Sequence, residues 1–319
     1  MQNPAPARNL PNIERVSVLA ATILLAYALT RFVTLPGWVL TAHPLGILVS
    51  LRINAQTIIP LLVAGLMAAG TNWLLSDHPA LRTPAGGGLT VLTHAGEESA
   101  SRIPAENTRS VQPERRSQNE RSLTEKTQRG PGAEHWLLPA VVAWVISIPL
   151  AQLPAGPLWV LALAIGGGLL VVILTAEYIA IDADDLRQPI AEAVLTAVSF
   201  AAYLLLAIAL RAAETRLYLI LPALAFTASV VSLRTWHLRL GGEWAWIEAG
   251  LVLVIVGQVA AALHYWPLPA LSYGLAVLGP AYALTNLVTS MAQGATFRQA
   301  LAGPLVMLVI TWGVAWWIR

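Results

Sequence analysis

Apolar residues in this chain fall into nine long runs, separated by short polar joints and by one long polar interruption. A bilayer's hydrocarbon core is ~30 Å thick and takes ~20 apolar residues per helix, so run length, more than amphipathic periodicity, identifies the elements. The runs cover about 16–35, 56–75, 136–153, 157–181, 189–210, 217–234, 244–265, 268–291 and 299–318. Each is expected to be a transmembrane helix, and the joints of three to nine residues after position 136 make each helix antiparallel to the one before it. Arg15 and the small-x-small triplet Ala26-Tyr27-Ala28 also give the first run the form of a signal peptide. Because the apolar stretch continues past that triplet, an uncleaved first helix is expected.

The polar positions divide the chain. Residues 37–54, holding His43, Pro44 and Arg52, are too short to span and read as an interfacial helix or re-entrant piece. Residues 77–134 are a different material: Gly86-Gly87-Gly88, several Pro, and eight Lys or Arg against eight Asp or Glu, with few large apolar side chains. Such a stretch cannot bury enough surface to offset chain entropy and is expected to be a disordered loop. The expected organisation is therefore residues 1–76 as an N-terminal tail with two helices, 77–134 as a cytoplasmic loop, and 135–319 as a seven-helix bundle. The fold class is an all-α integral membrane protein, a polytopic bundle of about nine helices.

Charge sets the expected direction of threading. Arg8, Arg15, the eight basic residues of the long loop, Arg187, Arg234, Arg239 and Arg298 fall on one side, while Arg31, Arg52, Arg211, Arg216 and Arg319 fall on the other. The richer side is the cytoplasmic one, which places the N-terminus inside and the C-terminus outside. Trp312, Trp316 and Trp317 before Arg319 then form an aromatic belt at the outer end of the last helix. Composition agrees: the 319 residues are 56% hydrophobic and 11% charged, against about 25% charged in soluble domains. The net charge of +2 reflects cytoplasmic loops, and with no basic helix or aromatic-basic platform no nucleic-acid partner is expected. The partners expected are the bilayer and other membrane proteins or a lipid-like ligand. The absence of Cys excludes disulfides, thiolate metal sites and Cys nucleophiles.

Candidate chemistry gathers in Thr175–Ala193, a knot of charge between two apolar runs. An ionisable group in hydrocarbon costs on the order of 3 kcal/mol and is a functional candidate by default. Glu177 lies about four residues before the loop, ~6 Å inside its helix end. Glu192 follows Pro189 in a first turn that favours a carboxylate, and Glu248 lies five residues beyond Glu243. Together they could line a cytoplasmic vestibule faced by Arg187, Arg234, Arg239 and Arg298, serving a proton or cation path or forming a structural ion-pair ring. Asp182, Asp184 and Asp185 are weak magnesium candidates, since head-group transferases use paired carboxylate-rich loops and only one exists here. His43, His237 and His264 are scattered over both sides, which suits neither a metal nor haem.

No GxSxG, HExxH, P-loop or GxGxxG occurs, so no catalytic residue and no cofactor is assigned. Gly166-Gly167-Gly168 reads as close helix packing, Asn286 as an interhelical hydrogen bond, and Pro280 with Gly274 and Gly279 gives helix eight the look of an interrupted helix. Glu192 and Glu248 also stand 56 residues apart at matching places in a weak hairpin repeat. The whole-chain pattern, an early helix pair, a polar loop and seven packed helices, resembles the uncharacterised multi-pass membrane proteins common in bacterial genomes, and the excess of Arg over the single Lys126 fits a GC-rich source. That resemblance implies a bacterial plasma-membrane protein and no particular activity. The residues favour a non-enzymatic scaffold or assembly component; a transporter or lipid permease using the cytoplasmic carboxylates is the alternative, and a lipid-modifying transferase the second.

Overall fold

The structure is a computed structural model that describes residues 13–29, 32, 37–42, 49–53, 55–76, 133–181, 186–240 and 244–319. Most of the expected loop 77–134 and all of Asp182–Asp185 therefore lie outside the described residues. Nine helices run through the described chain: α1 Ile13–Leu29, α2 Ala55–Leu75, α3 Ala133–Gln152, α4 Pro157–Ala180, α5 Gln188–Ala212, α6 Leu217–Arg239, α7 Trp246–His264, α8 Ala270–Ala292 and α9 Phe297–Trp317. All except the 17-residue α1 are long and apolar enough to cross a membrane, and the chain is an all-α polytopic bundle. Helices are the elements available here because a backbone in hydrocarbon must satisfy its own hydrogen bonds.

Two boundaries differ from the sequence reading in ways that matter. The described residues of 37–54 hold no helix: Trp38–Ala42 (β1) and Val49–Ile53 (β2) form an antiparallel pair, with Leu40 opposite Leu51. The strict alternation Val-Ser-Leu-Arg-Ile of β2 is the period-two signal that a search for long apolar windows passes over. A two-stranded sheet leaves both outer edges unpaired, which suits the water-facing surface of the membrane and not its interior. The second difference is α6, which continues to Arg239, so Arg234 lies inside a helix and not in a loop.

The core is organised around α5, which packs against α3, α4, α6 and α8. α5 and α6 are each 56% buried over their spans, while α9, seated on α8, is 22% buried and mostly faces outward. Close approach is set by small residues. A Cβ at Gly166 would stand 2.7 Å from Ile146 of α3, and one at Gly167 would stand 2.7 Å from Leu24 of α1, so adjacent glycines let α4 approach two neighbours. Pro222, Pro280 and Pro304 sit within α6, α8 and α9, and α8 is continuous from Ala270 to Ala292 and not interrupted. α8 is held along its length: Gly274 lies against Ile208 of α5, and Trp312 of α9 donates to the Ala276 carbonyl at 3.1 Å.

Candidate functional site

α3 begins, and α4 and α6 end, at one end of the bundle, so His135, Glu177 and Arg234 reach similar depth from three different helices. There they meet. Arg234 Nη2 donates to Glu177 Oε2 at 2.5 Å, and His135 Nδ1 lies 3.2 Å from the same oxygen. Against an ionised carboxylate, which only accepts, that imidazole nitrogen carries the proton and donates. Glu177 is fully buried and Arg234 is 1% exposed, while His135, at 16%, forms the edge of the cluster.

The arrangement is a charge pair with incomplete bonding. Among the described residues Glu177 Oε1 and Arg234 Nε and Nη1 are buried without a hydrogen-bond partner, so the guanidinium does not grip the carboxylate with both arms of its fork. Two charges out of water are costly, and their attraction offsets the desolvation only while both are present. Chemically the cluster can hold a fixed pair of charges or exchange a proton through His135. Among the described residues no group of three or more His, Asp or Glu is placed to hold a metal ion.

Arg234 belongs to a wider set of polar links that leave α6 in several directions. Ser229 Oγ donates to the Ala249 carbonyl of α7 at 2.9 Å. Toward α8, Ser232 Oγ pairs with Thr285 Oγ1 at 2.7 Å and Trp236 Nε1 donates to the Thr285 carbonyl at 3.0 Å. Arg239 Nη1 donates to Asn286 Oδ1 at 3.1 Å, giving that amide its interhelical bond. Ser232 and Trp236 are fully buried, so these bonds form where water cannot compete.

The remaining sequence candidates do not join the cluster. Glu192 accepts from Gln188 Nε2 of its own helix at 2.8 Å. Glu248 sits half-buried in the first turn of α7, where the helix dipole favours it, and is therefore the shallower of the two relative to its helix start. Neither carboxylate is bonded or ion-paired to Glu177, Arg234 or His135. Arg187 is exposed beside the start of α5, and Arg239 bonds Asn286 as described. Asp182, Asp184 and Asp185 lie outside the described residues. His135 is the member that sequence reasoning missed, because it stands at the edge of the polar loop; matching its depth to that of Glu177 across an antiparallel helix pair is the signal that finds it.

A second polar device lies at the opposite end. Arg211, in the last turn of α5, donates to the carbonyls of His264 and Trp266, each at 3.1 Å, and stands 5.3 Å from the Tyr273 ring centre. It closes the end of α7 and the turn into α8, where a helix C-terminus leaves carbonyls without partners.

Eight apolar spans and a sealed charge pair describe a multi-pass membrane protein. No curated protein and no solved structure matches the chain. Residues 35–318 match the model of a family described as a protein of unknown function, DUF5656, and the chain belongs to that family.

Proposed function

We propose that this protein is a non-enzymatic scaffold of the bacterial plasma membrane, with its N-terminus in the cytoplasm, whose bundle is a rigid platform for partners engaged by residues 77–134. The observation that carries the reading is the Glu177–Arg234 pair: a buried carboxylate with its counter-charge at 2.5 Å is tied down, where a translocation site needs a charge that solvent can reach. The bonds from α6 to α7 and α8 support the same reading, since they cross-brace the end at which the polar segment leaves the bundle. The absence of nucleophile motifs from the sequence fits it too. The excess of Arg on the side of that segment supports its placement in the cytoplasm.

The test is cross-linking and capture from native membranes with the full chain and with residues 77–134 deleted. Partners retained by the full chain and lost with the deletion support the scaffold. Identical captures overturn it.

One observation favours a second reading, proton-coupled transport: His135 is 16% exposed and touches a fully buried carboxylate, which is how a proton would reach the interior. Proton flux in proteoliposomes that disappears with Glu177→Gln, in a protein that remains folded, would favour transport.

A further inference from the structure

Gln258 places a primary amide on the outward surface of α7, where it is exposed and makes no hydrogen bond among the described residues. It stands six residues before His264, at the end of the helix, hence ~9 Å inside that end, within hydrocarbon. An amide there has no water to bond and carries an unmet cost. Beside it lies an open groove of about 410 Å³ between α6 and α7, lined by Pro222, Ala225, Val254, Gly257 and Gln258 itself among others. Gly250 and Val254 continue the same outward stripe at four-residue spacing, and a Cβ at Gly250 would meet nothing within 4 Å. Another helix backbone can therefore come close.

We infer that this face joins two copies of the chain, packed along Gly250, Val254 and Gln258, with the two Gln258 amides bonded to each other. Copies inserted in the same direction hold residue 258 at the same depth, so a two-fold axis along the membrane normal brings the amide to itself. An amide is self-complementary, since Nε2 donates and Oε1 accepts, and a reciprocal pair satisfies both copies. A different protein would have to bring a polar group to that depth, and an acyl chain could fill the groove but not bond the amide. The inference is independent of the scaffold reading, because it rests on α7 and not on the Glu177 cluster.

The test uses the full chain in liposomes, with oligomeric state read by single-molecule photobleaching as protein is diluted into lipid. The wild type is expected to dimerise, and Gln258→Leu to weaken the dimer roughly five- to thirty-fold, the range expected for interhelical hydrogen bonds in model membranes. Because the chain has no Cys, Val254→Cys leaves Gln258 intact and reports contact directly: oxidation should give a covalent dimer, whereas Val309→Cys on the outward face of α9 should not. A wild type that stays monomeric at every dilution, as a lipid-filled groove or a different protein partner would give, overturns the inference. So does a dimer that Gln258→Leu leaves unchanged and that cross-links at residue 309 but not at 254.

Discussion

Removing one member of the Glu177–Arg234 pair should be far more damaging than removing both. Arg234→Met leaves a fully buried carboxylate without its counter-charge, keeping only the His135 contact at 3.2 Å. Breaking a buried pair in this way costs about 3–5 kcal/mol. Glu177→Met strands the guanidinium, which is 1% exposed and already has two nitrogens without partners, so a cost in the same range is expected. The double variant removes both charges and three unmet polar atoms and fills the site with apolar volume. It should lie within about 1 kcal/mol of the wild type or exceed it. The assay is unfolding in mixed micelles followed by tryptophan fluorescence, with Trp236 of α6 fully buried near the pair and bonded to α8 as a reporter. The cycle over the four proteins gives the coupling directly. Single variants that each lose less than about 1 kcal/mol, or losses that simply add in the double, would refute the account of a sealed pair.

Further expectations follow from other contacts. His135→Ala should cost less than Arg234→Met in the same unfolding assay, since the imidazole is partly exposed and leaves the charge pair intact. Gly274→Val should destabilise by about 1–3 kcal/mol, because even its Cβ would stand 2.7 Å from Ile208 of α5 and the added methyls overpack that contact. Arg211→Ala removes two carbonyl bonds at 3.1 Å and the contact with Tyr273, and should raise hydrogen exchange across residues 264–269 before it affects the far end of the bundle. Tyr27→Phe should cost about 1 kcal/mol by removing the hydroxyl that donates to the Ala143 carbonyl between α1 and α3.

The helices were readable because length and apolar content alone specify a span, and the runs at 56–75 and 157–181 match α2 and α4 within a residue at each end. What depended on boundaries was harder to read. Serine, threonine and arginine at 232–235 look like the end of a span, yet α6 continues through them: Ser232 pairs with Thr285, Thr235 donates to the Val231 carbonyl of its own helix, and Glu177 accepts from one arm of Arg234. Pairing supplied by another helix leaves no local trace, so Glu177 and Arg234 could be placed on one side of the membrane but not against each other. His135 was concealed by its neighbours in the polar loop. The β1–β2 pair was missed for a different reason: its five-residue strands are far below the length that marks a span, and only their alternation reveals them. Gln258 was overlooked because a lone amide in an apolar run looks harmless until the fold shows that it faces outward.

The most direct measurement is solvent access one turn deeper than the pair. Leu174 and Val231 stand three residues before Glu177 and Arg234, and each is at most 1% exposed. In a chain that has no Cys of its own, single Cys residues at these positions can be challenged with a small membrane-impermeant thiol reagent, with Cys at the 95% exposed Leu186 as the reference. A sealed bundle predicts that both inner positions stay unmodified long after residue 186 has reacted. Modification of either at a rate close to the reference would contradict the static lock and mean that water passes the pair.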